Sequence, residues 1–379
     1  LGTYMGADFR KAYVPGTPLT GAGQNVGLLQ FDGYFPGDPA AYAQTIGLTN
    51  PPTLVNVPID GGVPVPGPGN GEVCLDIEMI MAMAPGVSNI YVYQAPNPSP
   101  WVDILSRMAN DNLARQLSCS WGGGPQAAGA AKLFTQLALQ GQTFFNAVGD
   151  TDAFTDSSNP IEFPSDSPNI TEVGGTTLTT AGDGSFLSET VWNWRIPNAN
   201  GGNWGSSGGI STFYSIPAWQ QSLNMTNNHG STTFRNTPDV ALTADNILTI
   251  SDNGQLFDSG GTSAAAPLWA AFTALVNQQG AANGHPPLGF LNPTIYSLAK
   301  SANYTNVFRD VTVGDNFWLP DSPTNFPATS GYDLATGLGS PNGTNLINAL
   351  TAVGVTDTIT HITPPPPPYG STLANLNGG

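Results

Sequence analysis

Four short segments carry side chains whose types and spacing suit nucleophilic or acid–base chemistry. The first is Gly260-Gly261-Thr262-Ser263-Ala264-Ala265-Ala266-Pro267. It sets a serine after glycines and before a small-residue helical run. A hydroxyl there lies at a helix N-terminus, where free N–H groups and the helix dipole favour negative charge. The glycines let another backbone come close. A serine that merely caps the helix fits these residues equally well. A serine nucleophile also needs a base, usually histidine. The chain has 3 histidines: His229 in an Asn-rich loop, His285 in a Gly-Pro loop, and His361 beside the C-terminal tail. None lies in a patterned segment, so a Ser-His-Asp triad is hard to build.

Carboxylates are the alternative. In Asn70-Gly71-Glu72-Val73-Cys74-Leu75-Asp76-Ile77-Glu78 and beyond, Val73, Ile77, Ile80, Met81 and Ala84 recur at helical spacing, and Pro85-Gly86 ends the run. Glu72 and Asp76 are then i, i+4 on one helix face. Like charges there repel, a poor choice for helix stability alone. Close carboxylates push their pKa values apart, so one can hold a proton that the other lacks. A solvated acidic face is the ordinary explanation of such a pair. The almost wholly apolar flanks argue for burial instead. A third carboxylate, Asp150, follows a predicted strand in Asn146-Ala147-Val148-Gly149-Asp150-Thr151. Protonated, it would donate a hydrogen bond to an oxyanion; as a plain turn residue it would cap the loop.

The elements that must position these groups read as alternating strands and helices. Strands are predicted over 26–31, 89–94, 117–121 and 143–148. Helices are predicted over 39–46, 101–112, 127–140 and 263–279, the last stopped by Gly280. This alternation predicts a mostly parallel sheet flanked by helices, an α/β fold in a single large domain. Functional groups then gather at the carboxyl ends of the strands. Residues 150–253 are rich in Gly, Ser, Thr and Asn and read as long loops with short strands and few helices. Past residue 355 the pattern fails. Five prolines at 364–368 and a Gly/Ser/Asn tail make 356–379 a stiff linker rather than core.

Composition narrows the function. Of 379 residues only 9% are charged, against about 25% usually. Lys+Arg is 9 and Asp+Glu is 26, a net charge of −17. So few cations leave no basic patch for nucleic acid or an anionic membrane. Once the carboxylates protonate, those 9 cations and 3 histidines are the only side-chain charges left, so self-repulsion in acid is weak. No apolar run approaches the ~20 residues of a membrane span. The chain begins at Leu1 without Met, as a processed product would. Two cysteines, Cys74 and Cys119, make neither a disulfide framework nor a Cys-only zinc site. Both a single bridge and two buried thiols are open.

Taken together and in order, these segments resemble the sedolisin family, the serine-carboxyl peptidases, and its kumamolisin-like members in particular. Other pieces agree: Arg10-Lys11-Ala12-Tyr13, Ser118 to Gly123, Phe163-Pro164, Val173-Gly174-Gly175-Thr176, Pro238-Asp239-Val240 and Asn292-Pro293. The resemblance spans residues 1–355. It implies a subtilisin-like fold in which Glu replaces the usual His. By it, Ser263 is the nucleophile, Glu72 its general base and then acid, Asp76 the residue that orients Glu72, and Asp150 the protonated oxyanion donor. Ser120, Trp121, Gly122 and Gly123 would form the edge that pairs with an extended substrate. Gln30 stands where some members carry Glu. The resemblance also implies a structural Ca²⁺, with Asp310 and Asp333 as carboxylates and Val311, Thr329 and Gly331 giving backbone carbonyls. Thr329 departs from the family's usual Gly. The expected partners are protein or peptide substrates and the chain's own prodomain before maturation. A secreted, acid-active monomer is expected. A His-dependent subtilisin-like protease would need a His segment that the chain lacks. A catalytically dead homologue would have lost one of Ser263, Glu72, Asp76 and Asp150, and all are present.

Overall fold

The computed structural model describes residues 3–124, 126–154, 160–197, 203–317 and 326–352. The proline run, the tail and His361 lie outside them. Along the chain, α1 (Ala7–Tyr13) and β1 (Asn25–Gln30) lead to α2 (Gly37–Thr45), β2 (Thr53–Pro58), α3 (Asn70–Met83) and β3 (Asn89–Gln94). Then come α4 (Trp101–Asp111), β4 (Gln116–Cys119), α5 (Ala130–Leu139) and β5 (Thr143–Ala147). A strand-rich stretch follows: β6 (Thr151–Ala153), β7 (Thr171–Thr180), β8 (Phe186–Val191), β9 (Asn193–Pro197), β10 (Asn203–Ser215), β11 (Phe234–Thr237) and β12 (Val240–Thr243). The hairpin β13 (Ile247–Ser251) and β14 (Gln255–Ser259) leads into α6 (Thr262–Ala282). Last are α7 (Asn292–Ala299), α8 (Tyr304–Val307), the short pair β15 (Phe308–Arg309) and β16 (Ser340–Pro341), and α9 (Gly343–Ala352).

The central sheet runs β12-β7-β5-β4-β1-β3-β2, all neighbours parallel, with β8 antiparallel on β7. From β1 the chain builds outward through β3 and β2 on one side. It then returns to lay β4, β5, β7 and β12 on the other. The order therefore reverses between β1 and β4, and the crevice at a reversal is where such sheets bind ligands. Helices cover both faces. On one, Val73, Ile77 and Ile80 of α3 pack with Ala264, Leu268 and Trp269 of α6. On the other, Ile104 and Leu105 of α4 meet Phe134 and Leu137 of α5. The alanine-rich start of α6 keeps it thin, so it crosses the sheet close to the strands it covers.

Two expectations about elements are revised. Gly280 does not stop α6, which runs on to Ala282. The stop is Gly284, at φ +75°, with the His285 N–H closing onto the Gly280 carbonyl at 2.8 Å. That is a glycine termination four residues later than predicted. Residues 150–253 are strands more than loops: β7 has 10 residues and β10 has 13. Their Thr, Ser and Gly residues hide the alternation that marks an ordinary strand. Gly174 and Gly175 of β7 lie where a Cβ would meet Pro238 at 2.9 Å and Ala244 at 2.7 Å. Small residues are what let this part of the sheet be covered so closely.

Candidate active site

The site is assembled at the crevice between β1 and β4, and a buried aspartate shapes its entrance. Asp32, two residues past β1, accepts the N–H groups of Gly33, Gly67 and Gly69, each at 2.7 Å. This ties the glycine-rich loop before α3 to the end of the sheet. A Cβ at Gly69 would fall 2.7 Å from the Trp121 ring, so only glycine lets the loop pass there. Glu72 is thereby set in the first turn of α3 and Asp76 one turn on.

Asp76 is fully buried, and Glu72 is half-buried with its Oε1 shielded from solvent. Asp76 takes a hydrogen bond from Gln30 Nε2 at 2.6 Å on one oxygen and from Ser120 Oγ at 2.6 Å on the other. Trp121 Nε1 donates to Gln30 Oε1 at 2.8 Å. An indole only donates, so the Gln30 amide is turned with its NH₂ toward Asp76. Burial pushes Asp76 up to about 7, with Ser120 and Gln30 holding it down. Glu72 is raised well above the usual carboxylate range by burial and then by the Asp76 charge, with Asp150 adding a little. The Ser263 hydroxyl acts in the other direction, favouring its charged form. Glu72 Oε1 is buried without a hydrogen-bond partner. Two acids on one buried face thus hold a proton that either alone in water would have lost.

Ser263 is half-buried in the first turn of α6. Pro267, four residues on, has no N–H to give to the Ser263 carbonyl. Ser120 Oγ lies 3.2 Å from that carbonyl, but its single proton goes to the nearer Asp76 oxygen at 2.6 Å. Ser120 therefore stands between the carboxylate side and the Ser263 backbone. Asp150, just beyond β5, is clamped by the Thr262 N–H and Oγ1, both 2.8 Å from its Oδ1. Burial raises its pKa, and the Thr262 donors oppose that. Gly261, at φ +151°, has room for no side chain: a Cβ would lie 2.9 Å from Asp150 Oδ2. Glu72, Asp150 and Ser263 open together into a cleft of about 420 Å³. Neither His229 nor His285 lines it. Cys74 and Cys119 are both free and buried.

Ser120, Trp121, Gly122 and Gly123 do not line that cleft. Ser120 and Trp121 spend their side chains on Asp76 and Gln30, and the Gly123 N–H is taken by the Phe163 carbonyl at 2.8 Å. Sequence reasoning missed Asp32, Thr262 and Pro267, and the place of Ser120 between Asp76 and the Ser263 backbone. The signal for Asp32 was its place two residues beyond a buried strand that ends in Gln30. Its loop partners, though, are about forty residues away in sequence.

Asp310 and Asp333 come together around the loop 329–333. Gly331 N–H donates to Asp310 at 2.9 Å, and Thr329 N–H to Asp333 at 3.0 Å. Among the described residues neither aspartate has an Arg or Lys partner. No group of three or more His, Cys, Asp and Glu side chains with metal-binding spacing occurs among those residues. A cation here would depend on backbone carbonyls for the rest of its shell. Two uncompensated carboxylates with loop carbonyls fit a hard cation in kind.

This is a subtilisin-like α/β architecture with carboxylates where a histidine base is usual. The profile of the subtilase family matches residues 77–294, and the chain belongs to that family. The matched stretch contains Asp150 and Ser263 but begins just after Asp76. Within the family the chain is a sedolisin-type protein, as its relatives show. Kumamolisin of Bacillus sp. (strain MN-32) is 35% identical over 369 residues, covering 92% of this chain and 63% of that protein. Tripeptidyl-peptidase 1 of Dictyostelium discoideum is 28% identical, covering 73% of this chain and 46% of that one. The solved structure of Pseudomonas sedolisin, a serine-carboxyl proteinase complexed with two molecules of pseudo-iodotyrostatin, superposes with a TM-score of 0.80. It is 27% identical and covers 93% of this chain and 100% of that one. The chain thus spans less than two thirds of the length of the curated relatives it matches. No described helix is long and apolar enough to cross a membrane.

Proposed function

We propose that the chain is a secreted, acid-active serine-carboxyl endopeptidase that cleaves proteins through an acyl-enzyme on Ser263. The observation that carries this is the grouping of half-buried Ser263, Glu72 and Asp150 in one cleft, with fully buried Asp76 behind Glu72 and no histidine among the lining residues. Ser263 Oγ attacks the scissile carbonyl carbon as its proton passes to Glu72. The carbonyl oxygen, now an anion, accepts the proton-bearing carboxyl of Asp150 as a hydrogen bond. Glu72 returns its proton to the leaving nitrogen, and the peptide bond breaks. Water, losing a proton to Glu72, then attacks the acyl carbon, and Glu72 passes that proton to Ser263 Oγ as the ester bond breaks and the acid leaves. Asp76, held by Gln30 and Ser120, fixes the Glu72 side chain and sets how readily it takes a proton.

Acid favours the Asp150 role; Glu72, which burial and the Asp76 charge hold toward its protonated form, serves as the base to the extent that the Ser263 hydroxyl favours its charged form. Asp150 donates only while protonated, and a histidine base would be a spent cation in acid. The low cation count supports a chain that stays folded there. We further propose one structural Ca²⁺ held by Asp310, Asp333 and the carbonyls of Val311, Thr329 and Gly331. That ion would supply positive charge to pin the loop and takes no part in peptide cleavage. A monomer, made with a prodomain that acid removes, completes the reading.

The test is cleavage of a denatured protein at about pH 4 and about pH 7 by wild type, Ser263→Ala and Glu72→Ala. Acid-only cleavage lost in both variants is the expected result. Activity peaking near neutrality, or surviving Glu72→Ala, sinks the carboxylate mechanism. Fragments released only as tripeptides from the N-terminus would replace endopeptidase by tripeptidyl-peptidase action.

A further inference from the structure

The cleft reaches past its reacting groups, and its far walls are aromatic. Trp204 of β10 and Phe257 of β14 line it. Both rings are substantially open, at 38% and 40% exposure. Single exposed aromatics are ordinary, but two that line the same cleft as a nucleophile make an apolar slot. The Phe257 wall is fixed. Glu78 of α3 accepts the Ile250 N–H at 3.1 Å, and Asn70 exchanges hydrogen bonds with Asp252 at 2.7 and 3.1 Å. Asp38 takes the N–H groups of Asn253 and Gly254 at 3.2 and 2.7 Å. The same free edge of β13 is held nearer its start by Tyr4, whose carbonyl accepts the Leu248 N–H at 2.9 Å.

The chemistry says which part of a substrate enters. Glu72 must reach the leaving nitrogen to protonate it. The hairpin is fastened to α3, the helix that carries Glu72, while Trp204 precedes Gly205, whose N–H binds the Asp150 carbonyl at 3.2 Å. Trp204 is thus tied to the Asp150 side of the cleft and Phe257 to the Glu72 side. We propose that Trp204 and Phe257 form the subsite for the side chain directly after the scissile bond, and that they select an aromatic or large aliphatic residue there. This rests on the peptidase reading above. Glu72, Asp150 and Asp252 line the cleft with no Lys, Arg or His, so no cation there pairs with an acidic residue at that position.

The experiment uses internally quenched peptides that differ only in the residue after the cleavage site: Phe, Leu, Ala, Gly or Glu. Wild type should cleave the Phe and Leu peptides with kcat/KM at least about tenfold above Gly, the scale of burying one large side chain. Trp204→Ala and Phe257→Ala should each bring that ratio near one, the loss falling on the Phe and Leu peptides. A ratio unmoved by both variants overturns the proposal. So does an equal loss on peptides varied before the bond. Calorimetric binding of the same peptides to Ser263→Ala, with and without Phe257→Ala, separates the two readings. If wild type cleaves nothing, Phe257-dependent binding of the Phe peptide over Gly still supports the subsite while the mechanism fails. Binding indifferent to that residue ends the subsite.

Discussion

Two places among the described residues set a buried carboxyl group beside a half-buried one with no Arg or Lys partner, and they treat those groups differently. In the loop 329–333 every carboxylate oxygen has a donor. Asp333 Oδ1 takes the N–H groups of Ala335 and Thr336 and the Thr336 hydroxyl, and its Oδ2 takes Thr329. Asp310 takes Gly331 and the Tyr304 hydroxyl. On α3 only the rear acid is treated so. Asp76 is saturated by Gln30 and Ser120, while Glu72 Oε1 has no partner at all. A buried acceptor left open costs stability. The saturated pair shapes a loop; the half-satisfied pair leaves one carboxylate acceptor open.

The sharpest break of that comparison is Glu72→Gln. It keeps the shape and removes the base, so kcat should fall by about a thousandfold or more with little change in Tm. A matching Asp333→Asn should do the reverse, lowering Tm by several degrees while kcat per folded molecule is kept. Steady-state kinetics and calorimetry on both variants check it. Equal kinetic losses would erase the distinction between the two pairs.

Asp150→Asn comes next. The amide still donates a hydrogen bond but no longer depends on pH to do so. Activity at about pH 4 should drop roughly a hundredfold, since a neutral amide places its donor differently. The alkaline limb of the pH–rate profile should move up or vanish. A limb that stays put would show that another group, Asp76 or Glu72, sets it.

The calcium proposal predicts a smaller effect, on stability alone. Added Ca²⁺ should raise Tm and a chelator lower it, by the linkage of ligand to the folded state. Asp310→Asn should weaken both responses. Thermal shifts that ignore Ca²⁺ would leave the loop carboxylates as hydrogen-bond acceptors only.

How much of this could be read in the residues themselves follows from physical range. α3 was legible because its apolar residues repeat at the helical period, so Glu72 and Asp76 fell on one face without any coordinates. β1, β3, β4 and β5 were legible as buried apolar runs. β7 and β10 were not, because Thr, Ser and Gly pack them without an alternating pattern. Gly280 misled because a glycine inside a helix and one after it look alike until the φ of Gly284 is known. At the site, each reacting residue has its own local motif. The groups that hold them do not: Asp32 and Ser120 act on partners 35 or more residues away, and Thr262 reaches Asp150 across 112.

The smallest predicted effect tests whether buried acids tune stability outside the two pairs. Asp152 is fully buried two residues after Asp150, and burial pushes it up to about 8, with Asn203 acting against that. In the unfolded chain the same group ionises near pH 4. The folded state therefore keeps a proton that the unfolded state has lost across that whole interval. The stability that goes with it is full below about pH 4 and drains away as pH rises toward 8. Asp76, up to about 7, slopes the same way. Wild type should accordingly melt higher at pH 4 than at pH 7. Asp152→Asn removes the titration, and asparagine accepts the residue's φ of +59°. It should leave Tm at pH 4 nearly unchanged and raise it by about 2–5 °C at pH 7. Calorimetric scans at the two pH values decide it. A gain of equal size at both would mean that the aspartate is strained for reasons other than its charge, and acid stability would then rest on Asp76 and its neighbours alone.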